Sequence, residues 1–357
     1  MTPKPRVLYL GAPLRYKQDQ FKEFCEHFEI ITEEVPERQK FIQNLKDKKY
    51  GDFAAILKPH FESGNDFRVD REGKRFDKEI IDLLPSSMKI MAGGGAGFDP
   101  IDTIELGKRG IYYCNCADAP AEATSDTAIY LIIGVFRLLS WAEQATRCRD
   151  PAVFNDVHDK LLTATCNPNE KVLGMVGMGL IARKIARKAR ALGMVLHYYD
   201  PFRAPKEVEE EYGLVYHEDL HEMLAISDCV NLSVPYMEST HHLIDEAALK
   251  AMKPGSRIVN TARGPVIDEK ALIVALKSGH ISSAGLDVFE FEPEVPKELA
   301  EMYNVTLTCH AGGGSRETIV RFEELTMLNI KTYIIDGKDP ISPVNTKVVK
   351  TALFGKH

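Results

Sequence analysis

Short apolar segments alternate with amphipathic segments along the first third of the chain. The amphipathic segments repeat apolar residues at helical spacing, whereas the apolar segments have the length of buried strands. Because parallel strands must be joined by crossovers, this alternation predicts a parallel sheet covered by helices. The predicted strands are Val7 to Leu10, Ile30 and Ile31, Ala54 to Leu57, Lys89 to Met91 and Ile111 to Cys114.

A second series of apolar segments begins at Val172 and shows the same alternation. Together the two series predict an α/β fold with two doubly wound parallel sheets. The predicted strands of the second series are Val172 to Val176, Val195 to Asp200, Cys229 to Val234, Ser256 to Asn260, Ser283 to Val288 and Val305 to Thr308.

Two long helices are predicted where the chain crosses between the sheets. The first lies within Pro120 to Ser140, with Thr124 or Ser125 as its N-cap. The second lies within Gly312 to Asp336 and returns the chain towards the N-terminal part. The N-terminal domain is therefore expected to be discontinuous in sequence.

The positions of these helices predict two domains. Residues 1–119 and 316–357 form the predicted substrate domain, and residues 120–315 form the predicted nucleotide-binding domain. The stretch from Cys148 to Asn169 is less regular than its surroundings. It is either an arm that contacts a partner subunit or a surface insertion.

The composition is that of an ordinary globular protein, with 44% hydrophobic and 27% charged residues among 357. The net charge of -7 offers no basic face for nucleic acid. Seven cysteines without a CxxC pair predict neither a disulfide framework nor a zinc site, and they favour a reduced, cytosolic setting. The polar N-terminus predicts no signal peptide, and no stretch approaches the ~20 apolar residues of a membrane helix.

A glycine turn follows the first strand of the second series. Gly177 permits a tight turn, and Gly179 lets a pyrophosphate approach the backbone N–H groups at the start of the next helix. Asp200 follows Gly179 by 21 residues, at the end of the next strand, where a carboxylate can bind both ribose hydroxyls of an adenosine. The pattern indicates a dinucleotide site; the alternative is a tight turn of any α/β domain.

A second glycine-rich loop, from Gly93 to Gly97, follows a predicted strand of the first series. Its exposed N–H groups suit a carboxylate, although a flexible turn would have the same composition. Lys58 to Phe61 follows a neighbouring strand and should lie at the same rim of the cleft. Its His60 and Phe61 would offer a ring face and an apolar edge there. No extra arginine or lysine accompanies the glycine loop, which disfavours dicarboxylates and phosphorylated acids.

Three polar stretches follow the last predicted strands: Asn260 to Gly264, Gly285 to Pro293 and Cys309 to Gly313. Open parallel sheets bind ligands at the carboxyl ends of their strands, so an arginine, a carboxylate and a histidine should meet in one crevice. Arginine can hold a carboxylate through two bonds, and histidine can exchange a proton near neutral pH with a glutamate as partner. Singly, the arginine is more often a surface ion pair and the glutamates Glu290, Glu292 and Glu294 are usually solvated.

With these motifs the chain resembles the D-2-hydroxyacid dehydrogenase family. The resemblance implies a Rossmann nucleotide domain and a flavodoxin-like substrate domain with the active-site cleft between them. It also implies a homodimer formed through the nucleotide domains. Segments that most resemble the fungal D-mandelate dehydrogenases of this family are Val234 to Met237, Thr240 to Asp245 and Met252 to Thr261.

The resemblance also implies roles for individual residues. Arg263 would anchor the substrate carboxylate, His310 would be the acid/base and Glu292 its partner, while Gly94, Gly95 and Ala96 would contact the carboxylate. NAD would be the cofactor and no metal would be needed. The implied cofactor-binding residues are Gly177, Met178, Gly179, Leu180, Ile181, Asp200, Val234, Pro235, Thr240, Thr261, Ala262, Arg263, Asp287, His310, Gly312, Gly313 and Thr124.

The chain departs from the family pattern at two positions: Cys309 replaces the usual proline before the histidine, and Ala182 replaces the commoner third glycine. The first departure puts in doubt only the stiffness of the chain before His310. Asp200 would repel the 2′-phosphate of NADP, so NAD(H) is expected, although Arg203 is close enough in sequence to offset some repulsion.

The leading functional hypothesis is an NAD-dependent reductase of bulky 2-oxo acids. A glyoxylate or hydroxypyruvate reductase would use the same arginine, glutamate and histidine with a smaller or more polar pocket. A dinucleotide-sensing, corepressor-like module would retain these residues without turnover. A formate dehydrogenase is a less favoured hypothesis, because that enzyme needs no acid/base histidine in the same sense.

Overall fold

The computed structural model describes residues 3–34, 36–59 and 76–355. His60 and Phe61, which were predicted at the rim of the substrate site, lie outside the described residues. The chain divides into two compact units, Met1–Pro120 with Ser315–His357, and Ala121–Gly314. The substrate and nucleotide roles assigned to such units from the sequence stay predictions at this stage.

The strands of the described residues all pair in parallel within two sheets. The first unit contains β1 (Arg6–Leu10), β2 (Glu29–Glu33), β3 (Ala55–Lys58), β4 (Ile90–Gly93) and β5 (Tyr112–Cys114). The second contains β6 (Val172–Val176), β7 (Val195–Tyr199), β8 (Leu214–His217), β9 (Cys229–Leu232), β10 (Ser256–Asn260), β11 (Ile281–Leu286) and β12 (Val305–Leu307).

Helices connect these strands. In chain order they are α1 (Gln18–His27), α2 (Arg38–Lys46), α3 (Lys78–Leu83), α4 (Thr103–Lys108), α5 (Ala121–Arg137), α6 (Leu139–Arg147), α7 (Pro151–Ala164), α8 (Leu180–Ala191), α9 (Lys206–Tyr212), α10 (Leu220–Ile226), α11 (Glu246–Ala251), α12 (Glu269–Lys277), α13 (Lys297–Glu301), α14 (Arg316–Ile334) and α15 (Thr346–Phe354).

The sheet of the first unit has the order β2-β1-β3-β4-β5, which is the flavodoxin-like order. Alternate side chains of β1 enter two different apolar layers because side chains of a strand point to opposite faces. Leu8 and Leu10 pack with Phe41 of α2, whereas Val7 packs with Ile330 of α14. Burial on both faces explains why these strands are continuous apolar runs in the sequence.

The sheet of the second unit has the order β12-β11-β10-β9-β6-β7-β8. This is the Rossmann order with a seventh strand added at one edge. The direction of winding reverses between β6 and β9, and ligands of such sheets bind outside the carboxyl ends of the strands at this point. The two sheets confirm the prediction of two parallel-sheet α/β domains.

The start of the first long helix was predicted wrongly. Helix α5 begins at Ala121, so Thr124 and Ser125 lie in its buried interior and not at an N-cap. The Ser125 hydroxyl is compatible with a helix because it donates to the Glu122 carbonyl oxygen at 2.7 Å. The helix ends before Leu138, whose φ of +48° breaks the helical path.

The stretch from Cys148 to Asn169, expected to be irregular, contains helix α7. Asp150 caps this helix by accepting the Ala152 N–H at 2.8 Å, and Pro151 occupies its first turn. Only Val157 of α7 is buried in the single chain, whereas Val153, Phe154 and Leu162 of the same helix are exposed. Strand β8 was also missed, because it is a short edge strand with an exposed Val215.

No single helix of the described residues has both the length and the apolar character needed to cross a membrane. Helices α5 and α6 meet that test only when joined, and they are bent by 77° where they meet. All seven cysteines, each within the described residues, are free thiols. The predicted cytosolic location stays a prediction.

Candidate functional site

The glycine turn after β6 has a backbone that requires glycine. Gly177 has a φ of +94°, and a Cβ atom there would lie 2.7 Å from the Ser233 carbonyl oxygen, at the end of β9. Its N–H donates to the Tyr199 carbonyl oxygen at 2.8 Å. The turn is therefore pressed between the ends of β7 and β9, at the switch point of the sheet.

The turn leaves open space in front of helix α8. Gly179 is the N-cap of α8 without a side-chain cap, and a Cβ atom there would meet nothing within 4 Å. The first N–H groups of a helix lack acceptors inside the helix and carry partial positive charge. The start of α8, with Leu180 and Ile181, therefore fits a pyrophosphate. Ala182 is fully buried behind it, where a small side chain permits close packing.

Asp200 links the end of β7 to this turn. One carboxylate oxygen accepts the Met178 N–H at 2.9 Å, and the other accepts the Phe202 N–H at 2.8 Å. Each carboxylate oxygen has two lone pairs, so both retain capacity for a ribose hydroxyl. The geometry agrees with the ribose role predicted for Asp200, which stays a prediction.

Thr240 shapes the turn that carries Val234 and Pro235. Its hydroxyl donates to the Pro235 carbonyl oxygen at 2.7 Å and accepts the Met237 N–H at 2.8 Å. The side chain is almost fully buried. The Thr240 hydroxyl is therefore bonded to the backbone of this turn. In this structure Thr240 holds the backbone beside the predicted nucleotide site, and its hydroxyl does not point into that site as a ligand.

Asp287 organises the loop that precedes α14. Its buried carboxylate accepts the Thr308 hydroxyl at 2.6 Å and the N–H groups of Ala311 and Gly312, each at 2.9 Å. Its carbonyl oxygen accepts the His310 N–H at 2.7 Å. A role near the nicotinamide was predicted for Asp287; the structure shows a carboxylate used to hold the backbone around His310.

The neighbours of this loop include other predicted cofactor residues. A Cβ atom at Gly312 would lie 2.6 Å from Asp287 and 3.8 Å from Thr124, so glycine is needed for close packing there. Gly313 continues the same loop. The buried Thr261 hydroxyl, at the end of β10, has no hydrogen-bond partner among the described residues. Such an orphaned polar atom beside the strand ends is what a site completed by a bound cofactor would leave.

The structure brings His310 and Glu292 into contact, and the acid/base role predicted for them stays a prediction. Nδ1 of His310 lies 2.7 Å from Oε2 of Glu292, and each side chain is about one-third exposed (37% and 32%). The other oxygen of Glu292 accepts the Phe289 N–H at 3.0 Å. Burial would raise the pKa of Glu292, but the hydrogen bond and charge of His310, the Phe289 N–H and the charge of Arg263 outweigh burial and lower it.

Arg263 is brought to this pair by a close backbone approach. A Cβ atom at Gly264 would lie 1.9 Å from the Phe289 carbonyl carbon and oxygen, so the turn after β10 touches the turn that carries Glu292. Asn260 holds the first turn by accepting the Ala262 N–H at 2.9 Å and donating to the Arg263 carbonyl oxygen at 2.8 Å. These roles of Asn260 and Gly264 were not predicted from the sequence.

A second acidic pair lies behind the same turns and was also missed. Glu290 accepts the Glu269 N–H and Glu269 accepts the Glu290 N–H, both at 3.3 Å. Glu290 is also 3.0 Å from Nε2 of His242. Its side chain is only 12% exposed, so the expectation that Glu290 is solvated is wrong. Burial, more than the neighbouring Glu290 charge, raises the pKa of Glu269.

The glycine loop of the first unit is in close contact with its neighbours. A Cβ atom at Gly94 would lie 2.1 Å from the Pro59 carbonyl oxygen, and Gly95 has a φ of +121°. Asn115 donates to the Ala96 carbonyl oxygen at 2.7 Å. The Gly94 N–H donates to the Lys58 carbonyl oxygen at 2.8 Å, so of the predicted carboxylate contacts those of Gly95 and Ala96 agree better with the geometry.

Comparison with known proteins identifies the family of the second unit, which contains His310 and Glu292. The family model described as "D-isomer specific 2-hydroxyacid dehydrogenase, NAD binding domain" matches residues 129–312. The crystal structure of D-mandelate dehydrogenase from Rhodotorula graminis aligns with a TM-score of 0.91 and 50% sequence identity. That alignment covers 96% of this chain and 98% of that one.

Two curated relatives are similar over nearly their whole lengths. Glyoxylate reductase 1 of Saccharomyces cerevisiae is 35% identical over 354 residues, which cover 95% of this chain and 94% of that protein. The 4-methyl-2-oxopentanoate reductase A of Aspergillus oryzae is 36% identical over 344 residues, which cover 94% and 96%. These matches confirm the family resemblance and the prediction of NAD as cofactor.

Proposed function

The chain belongs to the D-isomer specific 2-hydroxyacid dehydrogenase family, and within it we propose a reductase of 2-oxo acids with a bulky apolar or aromatic side chain. Its relatives are named dehydrogenases and reductases, so it is an NAD-dependent enzyme and not the sensor considered above. The observation that supports a bulky substrate is the 50% identity with a D-mandelate dehydrogenase over 96% of the chain.

The site residues act on the substrate as follows. When bound, NADH supplies the hydride that adds to the carbonyl carbon. Arg263 binds the substrate carboxylate through its planar fork and so orients the carbonyl group. His310 faces Glu292 with Nδ1, so Nε2 is the nitrogen that donates a proton to the carbonyl oxygen. The reverse reaction returns this proton to Nε2.

Glu292 has two effects on His310 in this scheme. Its carboxylate stabilises the protonated imidazolium, the form that donates during reduction. It also fixes the ring orientation through the 2.7 Å contact. Its own pKa is lowered below the ordinary range, so it keeps its charge at neutral pH.

A side-by-side kinetic assay tests the substrate class. With NADH, benzoylformate, phenylpyruvate or 2-oxoisocaproate should be reduced to the D-hydroxy acid with kcat/KM at least about tenfold above glyoxylate. That ratio needs only about 1.4 kcal/mol, which burial of one apolar ring can supply. Product chirality is measured by chiral chromatography, and an L product would contradict the assignment.

The second candidate is a glyoxylate or hydroxypyruvate reductase. It is supported by the 35% identity with glyoxylate reductase 1 over 95% of the chain. If glyoxylate or hydroxypyruvate has the highest kcat/KM of the panel, this candidate replaces the first. Similar values for all acids would mean a permissive pocket and would also remove the proposed preference.

We also propose that the enzyme is a homodimer in which α7 is an arm against the partner subunit. Val153, Phe154 and Leu162 of α7 are 40%, 50% and 72% exposed in the single chain, which is unfavourable for large apolar side chains unless a second surface covers them. Light scattering during gel filtration should give twice the chain mass, and Phe154→Asp with Leu162→Asp should lower it. A monomeric wild-type protein would contradict the proposal.

A further inference from the structure

Arg203 lies in the loop after β7, close in sequence to Asp200, and its guanidinium is engaged by Glu209 of α9. Nε donates to one carboxylate oxygen at 2.9 Å and Nη2 donates to the other at 3.0 Å. The guanidinium also lies 5.0 Å from the ring centroid of Tyr216 on β8. This two-bond geometry restricts the guanidinium more than a single contact would.

Glu209 is the fixed member of the pair. Its side chain is 11% exposed, against 62% for Arg203. The Tyr198 hydroxyl donates to Glu209 at 2.6 Å and accepts the Ala204 N–H at 3.0 Å, which anchors the carboxylate to β7 and to the loop. The hydrogen bonds from Arg203 and then Tyr198 lower the pKa of Glu209, so it is ionised at neutral pH.

We propose that Glu209 is a positioning residue for nucleotide selectivity, because it holds Arg203 away from the 2′-phosphate that distinguishes NADPH from NADH. A released arginine beside the ribose would offer two N–H groups and a positive charge to that phosphate. While Arg203 is paired, its charge is compensated and the negative charge of Asp200 dominates. The inference rests on the proposed ribose role of Asp200.

The test is a double-mutant cycle of Glu209 and Arg203. Its readout is the selectivity for NADPH over NADH, which a purely structural role of Glu209 would not change. Glu209→Gln removes the charge yet retains an acceptor for the Tyr198 hydroxyl. We expect it to raise the ratio of kcat/KM for NADPH to that for NADH by roughly three- to tenfold, the range of one exposed charge-assisted contact. In the Arg203→Gln background, Glu209→Gln should leave the ratio unchanged.

Glu210→Gln is the matched control. Glu210 follows Glu209 on α9 and pairs with Lys206 at 3.5 Å, so its substitution also removes one negative charge and releases a cation. The ratio should stay at the wild-type value. An increase equal to that of Glu209→Gln would mean a general charge effect and would overturn the inference.

Binding measurements separate nucleotide recognition from turnover. Inhibition constants for 2′,5′-ADP and 5′-AMP should show a gain for 2′,5′-ADP alone in Glu209→Gln, and this gain should shrink as salt is added. An unchanged selectivity in Glu209→Gln, or an equal increase in the Arg203→Gln background, would overturn the inference. A loss of NADPH use in Arg203→Gln alone would also overturn it, because Arg203 would then already reach the phosphate.

Asp200→Asn distinguishes a failure of the Glu209 inference from a failure of the ribose role proposed for Asp200. It should raise the NADPH to NADH ratio if Asp200 faces the ribose. A response to Asp200→Asn without a response to Glu209→Gln would sink the Glu209 inference alone. No response to Asp200→Asn would refute the ribose assignment on which the inference rests.

Discussion

Nδ1 of His310 is 2.7 Å from Oε2 of Glu292. His310 also has a φ of +54°, a backbone conformation held by the bond from its N–H to the Asp287 carbonyl oxygen. The contact assigns Nδ1 to Glu292, so the proposed proton donor to the substrate is Nε2. The consequences can be measured separately at each residue.

Glu292→Gln should lower kcat for 2-oxo acid reduction by about 10- to 100-fold, the value of one charge-assisted hydrogen bond. The neutral amide retains an acceptor for Nδ1 of His310 but removes the negative charge beside the proton-donating ring. The measurement is kcat with NADH and substrate saturating. Glu298→Gln, on the exposed surface of α13, is the control and should keep the wild-type kcat. A kcat of Glu292→Gln equal to that of the wild type would remove Glu292 from proton transfer.

His310→Asn should lower kcat by about 10² to 10⁴ while NADH binding stays nearly intact. Asparagine is the suitable replacement because it tolerates a positive φ better than most residues. Fluorescence titration with NADH checks binding, and single-turnover reduction checks the chemical step. A kcat within about tenfold of the wild type would mean that another group supplies the proton.

Much of the fold could be predicted because its determinants are local. Strands buried on both faces are apolar runs, and Gly177 is marked by its position after such a run. The role of Gly264 could not be predicted, because it depends on contact with Phe289, a residue of another turn. Glu290 was misjudged for the same reason: its partners Glu269 and His242 are 21 and 48 positions away in sequence.

Arg263→Lys should weaken substrate binding and turnover together. Lysine retains the positive charge but presents no planar fork, so the carboxylate loses one of two bonds and the carbonyl is less well oriented. We expect kcat/KM to fall on the order of 10- to 100-fold, the value of one charge-assisted hydrogen bond of about 1.5–3 kcal/mol. Near-normal kcat and KM would show that another group holds the carboxylate.

Gly264→Ala should destabilise the second unit and move Arg263 away from His310 and Glu292. The added Cβ would lie 1.9 Å from the Phe289 carbonyl carbon, which is backbone and cannot turn aside as a side chain would. Overpacking of this kind costs about 1–3 kcal/mol of unfolding free energy. Because the two turns must move apart, kcat/KM should fall even at temperatures where the variant is folded.

Gly134→Ala is the matched control for this loss. Gly134 lies inside helix α5, and a Cβ atom there would have its nearest contact with the Thr306 hydroxyl at 3.4 Å, an ordinary packing distance. Since alanine is favoured over glycine within helices by roughly 0.5–1 kcal/mol, this variant should be as stable as the wild type or more stable. Denaturant unfolding of both variants measures the difference. Equal stability of the two would mean that the turns after β10 and β11 are not in the tight contact that brings Arg263 to Glu292.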